Sequence, residues 1–142
     1  MDFRKTSIVS LAKDVQAGNL SARELTQAAL KNIEQLDGTL NAFCAVNAKQ
    51  ALDDADTVDA AIKRGESFPL AGIPIGVKDL EDAKGFVTTY GSALHTQDAV
   101  AGSDSELVRR LKAAGCVVLG KTNTPEFGHK GKTDNIPFGA TL

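Results

Sequence analysis

Two short apolar runs, Ile73-Pro74-Ile75-Gly76-Val77 and Cys116-Val117-Val118-Leu119, each follow a helical pattern that a glycine closes, at Gly65 and at Gly115. Helices alternating with short β-branched strands indicate an α/β architecture. The other patterns along the chain agree. Over residues 7–17 the apolar Ile8, Leu11, Ala12 and Val15 recur at helical spacing, and Gly18 follows as a stop. Ser21-Ala22-Arg23-Glu24 has the S-x-x-E form of a capping box. Behind it Leu25, Ala28, Ala29, Ile33 and Leu36 share one face, which predicts a helix ending at Gly38. Residues 42–46 read as a short buried strand, and Asn47 as the cap of a helix over residues 48–64.

Pro74 has no amide hydrogen to give, so it must stand at the start of its strand or on an edge, with Lys78 and Asp79 at the far end. Residues 85–102 show no sustained period and read as loops with short elements. Ser103 or Asp104 can cap a helix through Leu107, Val108, Leu111 and Ala114. The tail Thr-Asp-Asn-Ile-Pro-Phe-Gly-Ala-Thr-Leu, residues 133–142, is loop-like and suggests truncation.

The chain has 142 residues, enough for one domain with its own core, so residues 1–142 are expected to form part of a single domain. Sixteen basic residues against eighteen acidic ones are scattered without a block of either sign. That argues against a nucleic-acid or anionic-membrane surface. No apolar stretch has the length of a signal peptide or a membrane span, and the expected location is cytoplasmic. Cys44 and Cys116 lie inside apolar runs and read as small buried side chains of a reducing compartment. His95 and His129 lack a ligand-like spacing and receive no role.

Residues 115–122, Gly-Cys-Val-Val-Leu-Gly-Lys-Thr, satisfy the phosphate-loop pattern G-x-x-x-x-G-K-[ST]. The context opposes that reading. A phosphate loop leads from a strand into a helix, whereas here the first glycine closes a helix and the four middle residues are the strand. Buried β-branched residues cannot wrap a phosphate.

The stretch Pro-Leu-Ala-Gly-Ile-Pro-Ile-Gly-Val-Lys-Asp, residues 69–79, with the Thr-Thr-Tyr-Gly-Ser of residues 88–92, resembles the region around the catalytic lysine of amidase-signature hydrolases. The resemblance continues through residues 103–128 and into Thr133-Asp134-Asn135, while residues 21–43 are similar to that family's opening helices. It implies a mixed, twisted sheet flanked by helices, present here only in part. It also implies hydrolysis of a carbon–nitrogen amide bond by a Ser, cis-Ser, Lys triad without metal or organic cofactor. Lys78 is then the catalytic lysine. Thr133, Asp134 and Asn135 match a loop near the active centre of relatives and are the candidate substrate-binding residues.

In that scheme an unprotonated lysine draws a proton from the nucleophilic serine through the bridging serine. A free lysine titrates near ~10.4, so it must be lowered by roughly two to three units, about 3 to 4 kcal/mol. Ile73, Ile75 and Val77 are expected to provide the apolar surroundings, and the strand alternation to keep Asp79 on the opposite side.

The family's Gly- and Ser-rich signature does not occur in these residues, and Ser92, Ser103 and Ser105 do not occupy the matching positions. The expectation is an amidase acting on a small-molecule amide as a full-length protein, with this chain alone inactive. One alternative is the glutaminase subunit of a tRNA-dependent amidotransferase, which would deliver ammonia to its partner. Another is a noncatalytic binding module. Exposed sheet edges would favour self-association or a homodimer.

Overall fold

The structure, a computed structural model, describes Met1 and residues 3–142. The elements run α1 (Ile8–Gln16), α2 (Ala22–Leu40), β1 (Phe43–Val46), α3 (Ala48–Lys63), β2 (Pro74–Lys78), α4 (Glu106–Ala113) and β3 (Val117–Thr122), with single 3₁₀ turns at Phe3–Lys5, Ala93–His95 and Glu126–Gly128. The strands form one sheet in the order β1-β3-β2. β1 runs antiparallel to β3. Val117 donates to the Ile73 carbonyl and Asp79 to the Thr122 carbonyl, so β2 and β3 advance in the same direction. The sheet is therefore mixed, and its parallel pair is joined by the long crossover containing α4 that parallel neighbours need. Among the described residues no helix is long and apolar enough to cross a membrane.

Residues divide into two compact units, and α2, β2, α4 and β3 contribute to both. The first comprises Met1–Ile33, Asn47–Ile75 and Arg110–Leu119. Ser7 caps α1 by accepting from the Ser10 amide at 3.1 Å, and Leu11, Ala12 and Val15 form its buried face. The expected capping box opens α2. Ser21 Oγ accepts from the Glu24 amide at 3.0 Å, and the Glu24 carboxylate accepts from the Ser21 amide at 2.9 Å. The Ser21 amide and hydroxyl together hold the Glu24 carboxyl below the usual carboxylate range.

Asp59 on α3 adds a second cap that the local sequence does not reveal, accepting from the amides of Ala22 and Arg23 at 2.7 and 3.2 Å. α3 is itself capped by Asn47, which accepts from the Gln50 amide at 3.1 Å. Its buried face consists of Ala51, Ala55 and Ala61, so the core of this unit is made largely of small side chains. Gly72 has a left-handed φ of +69°, and a Cβ there would lie 2.8 Å from the Ala22 Cβ. The turn backbone thus rests directly on the start of α2.

The second unit comprises Glu34–Val46, Gly76–Arg109 and Gly120–Leu142. Here α2 runs through Gly38, the expected stop, and ends at Leu40. The stop is supplied by Asn41, whose φ of +52° is the left-handed conformation that asparagine tolerates after a helix. The Asp37 carboxylate then accepts from the amides of Ala42 and Phe43 at 2.8 and 3.1 Å, which turns the chain into β1. Leu36, expected on the buried face, is 55% exposed.

β1 is half-buried to exposed and not the buried strand expected, because it occupies an edge of the sheet. Its register with β3 pairs Phe43 with Thr122, Ala45 with Lys121 and Val46 with Gly120, with a bulge between Phe43 and Ala45. A Cβ on Gly120 would sit 2.1 Å from the Ala45 carbonyl oxygen, so only glycine fits there. Ser105, and neither Ser103 nor Asp104, precedes α4 and accepts from the Val108 amide. Asp104 is turned instead to the Lys84 amide at 2.8 Å.

Replacing Ser21 by Ala removes the acceptor for the Glu24 amide. The substitution is expected to cost ~1 kcal/mol in urea denaturation, with Asp59 retaining the cap on Ala22 and Arg23.

Candidate active site

Period-two alternation along β2 decides which side chains face where. Ile73, Ile75 and Val77 point to one side, with Ile73 and Val77 buried, while Lys78 points to the other and is exposed; on that side a Cβ at Gly76 would lie 2.5 Å from Thr122 Cγ2 and 3.2 Å from the Phe43 ring. The apolar surroundings expected for Lys78 therefore lie on the face it turns away from. Its backbone is firmly held: the Lys78 carbonyl accepts from the amides of Leu80 and Glu81 at 2.7 and 3.0 Å, and the next amide, of Asp79, donates to Thr122 on β3 at 3.0 Å.

Asp79 continues the alternation and turns inward, where it is 1% exposed. There it meets Lys121 of β3, which is wholly buried, at an Nζ–Oδ1 distance of 2.8 Å. Both partners are otherwise satisfied. Lys121 Nζ donates to Thr88 Oγ1 at 2.9 Å and lies 3.4 Å from the Val87 carbonyl. Asp79 accepts from the Thr89 amide at 3.2 Å and from the Thr89 hydroxyl through a short bond. Thr88 donates its own hydroxyl proton to Asp82 at 2.7 Å.

Sequence reasoning misses this pair, because it weighs Asp79 only against Lys78. The one available signal is a lysine inside an apolar run, Val117-Val118-Leu119-Gly120-Lys121. A lysine there must be buried with a partner, and the nearby strand end offers a carboxylate. The same burial disposes of the phosphate-loop pattern, since its lysine is enclosed and committed to Asp79 and its middle residues form β3.

The Thr-Thr-Tyr-Gly-Ser stretch sits against this pair. Tyr90, next to Thr89, and Phe127 both adopt left-handed backbone, at φ +56° and +51°. The Phe127 amide donates to the Tyr90 carbonyl at 2.7 Å, and their rings stack at 6.1 Å. His95 packs edge-on to both rings and bonds Asp98 at 2.7 Å. Non-glycine residues held in this region cost about 1–3 kcal/mol each, and such strain clusters at functional sites.

Thr133, Asp134 and Asn135 lie in a loop whose organiser is Asn135. Its amide nitrogen donates to Asn123 Oδ1 and the Thr124 carbonyl at 2.6 and 2.7 Å, and its oxygen accepts from the Phe138 amide. Asp134 pairs with Lys130 at 2.8 Å and Lys132 at 3.2 Å, and these lysines hold its carboxyl below the usual range. The Thr133 carbonyl accepts from the Thr141 amide. These bonds run within the loop and to its neighbours, not to Lys78. His129 bonds the Glu126 carbonyl.

Cys44, at the β1 bulge, donates its thiol to the Lys121 carbonyl at 3.4 Å. Burial, then the charge of Asp79, pushes it up to about 12; burial alone pushes Cys116 up to about 11.

The family model Amidase matches residues 24–142. The chain belongs to the amidase family. Its amidase relatives include the putative amidase AmiB2 of Mycobacterium tuberculosis, 44% identical over 140 residues, covering 99% of this chain and 30% of the relative. A glutamyl-tRNA(Gln) amidotransferase subunit from Chromohalobacter salexigens is 41% identical over 133 residues, covering 94% of this chain and 27% of that protein. Among solved amidase structures, a bacterial aryl acylamidase superposes with a TM-score of 0.86 at 31% identity, over 96% of this chain and 29% of its own. The peptide amidase of Stenotrophomonas maltophilia superposes with a TM-score of 0.85 at 36% identity, over 99% and 30%. The chain thus spans under a third of these amidase relatives, and the superpositions bear out the mixed α/β fold as one part of theirs.

Lys121→Met leaves the Asp79 carboxylate buried without its cation and is expected to cost about 3–5 kcal/mol in chemical denaturation. The double variant Asp79→Asn/Lys121→Met, which removes both charges, should recover at least half of that loss.

At pH 8 the Cys44 thiolate should be roughly 1000-fold scarcer than in a free thiol, so an aromatic disulfide reagent should react with it correspondingly slowly. Because both thiols are raised by folding from the ordinary value of 9.0, stability should fall as the pH climbs from 9 towards about 12.

Proposed function

We propose that these residues form the lysine-bearing section of an amidase-signature hydrolase in which Lys78 is the base. The proton of a nucleophilic serine passes to Lys78 Nζ through a second, bridging serine. The serine oxygen attacks the amide carbonyl, and the proton returns from Lys78 through the bridging serine to the amide nitrogen as the C–N bond breaks and the amine leaves. A water that gives up its proton by the same route then cleaves the acyl-enzyme to the acid and the free serine. The two serines come from sequence outside these 142 residues, so the chain alone has no amidase activity.

The observation that carries this reading is the parting of Lys78 from Asp79. A carboxylate adjacent in sequence would keep a lysine protonated if the two met. Here Lys78 is turned outward while Asp79 is buried and paired with Lys121 at 2.8 Å. The family match across residues 24–142 supports assigning the exposed lysine to the base. Its desolvation is then supplied in the whole enzyme by the segments that pack over β2's outward face. The substrate is a small-molecule amide.

A second reading is favoured by one set of relatives. Proteins named as glutamyl-tRNA(Gln) amidotransferase subunits match at 38–44% identity, in the same range as the amidases. In that case the amide is glutamine, and its ammonia passes to a partner protein in place of being released. Cleavage of glutamine, compared with cleavage of anilides and of carboxamides other than glutamine, separates the two.

In a full-length amidase carrying these residues, Lys78→Met is expected to lower kcat/KM by about 1000-fold, the scale of a lost general base. The purified 142-residue chain is expected to hydrolyse none of these amides. Turnover by the chain alone, or an active Lys78→Met enzyme, would sink the assignment.

A further inference from the structure

We propose that Lys121 is a positioning residue for Lys78, acting through Asp79. The inference rests on the reading of Lys78 as the base and adds to it the device that aims that base.

A buried ion pair is a poor way to gain stability. Taking two charges out of water costs about as much as their attraction returns, and apolar residues of the same volume would hold the strands as well. What the pair does supply is direction. Lys121 Nζ meets Asp79 Oδ1, Thr88 Oγ1 and the Val87 carbonyl, so all three of its protons have acceptors. Asp79 meets Lys121 and both the amide and hydroxyl of Thr89. A network with every donor and acceptor used has one arrangement, and a slip of the strand end breaks several bonds together.

The consequence reaches Lys78 through one peptide bond. With the Asp79 side chain fixed inward and its amide fixed on Thr122, the Lys78 side chain must leave the strand on the opposite side. The Leu80 and Glu81 amides close on the Lys78 carbonyl and prevent the strand end from rotating. A base that passes protons through a serine needs its nitrogen held to within a fraction of an ångström, and a strand end without this anchor would fray. Lys121 also engages Asp79, keeping the carboxylate from turning back to Lys78.

The test uses a full-length amidase carrying these residues and the double variant Asp79→Asn/Lys121→Met. A positioning role predicts that kcat falls at least 10-fold while KM stays within about 2-fold and the melting temperature shifts by only a few degrees. A merely structural pair predicts unchanged kcat in the folded double variant, and that result overturns the proposal. Should the double variant fail to fold, Thr88→Val removes one acceptor of Lys121 and leaves both charges. It is expected to lower kcat about 3-fold or more, and an unchanged kcat again overturns the proposal.

On the 142-residue chain the same substitutions should raise amide hydrogen exchange at Leu80 and Glu81 at least 10-fold without a matching rise in α1. Equal exchange at both places counts against positioning. If Lys78→Met retains full activity in the same enzyme, the failure lies in the reading of Lys78 as the base, and the positioning role falls with it.

Discussion

Two charges with almost no access to water, Lys121 and Asp79, sit 2.8 Å apart where β2 and β3 end, and the neighbourhood of Lys78 is arranged about them. Neither could be buried alone, since an unpaired charge in an apolar interior would have to shed or gain a proton or draw water in. Each therefore recruits the rest of its shell from the loop after β2, with Val87 and Thr88 on the lysine and Thr89 on the aspartate. From Asp79 to Ser92 that loop has no helix or strand of its own. Its course is set by the need to present those acceptors and donors, and Tyr90 follows Thr89 into a strained conformation that the Phe127 amide then holds.

The same economy is visible around three asparagines. Asn41 ends α2 in the left-handed region and donates to the Phe138 and Ala140 carbonyls. Asn123 leaves β3 and donates to Gly139 and Thr141. Asn135 ties its own loop to Asn123 and Thr124. Residues 133–142, which read as uncapped loop, are thereby held by side-chain amides that mimic the hydrogen bonding of a strand partner.

What can be read from the sequence is whatever a few adjacent residues decide among themselves. Ser21 and Glu24 form their box, Asn47 caps α3, Gly65 and Gly115 close helices, and Pro74 starts β2, because each outcome depends on contacts within three or four positions. One failure is equally local: Gly38 does not stop α2, because Asp37 beside it and Asn41 three residues on make the end. The other failures have the opposite property. β1 is not buried because its neighbour order leaves it at an edge, which no local pattern encodes. The partner of Asp79 lies far downstream on β3, hidden inside a pattern that mimics a phosphate loop. At the candidate site the lysine itself is legible, while the setting expected for it is not. Ile73, Ile75 and Val77 are its neighbours in sequence, but strand alternation places them on the opposite face.

That last point separates two requirements that a catalytic lysine places on a protein. One is direction, which under the proposed function falls to the strand end, the turn at Leu80 and Glu81 and the buried pair. The other is a depressed affinity for the proton, worth about 3 to 4 kcal/mol, which demands that water be excluded from the ammonium. Strand β2 by itself does not exclude water there, since Lys78 stands exposed on its outward face. Under the proposed function, then, the aim of the base comes from residues of this chain, and the exclusion of water comes from whatever packs over Lys78 in the whole enzyme.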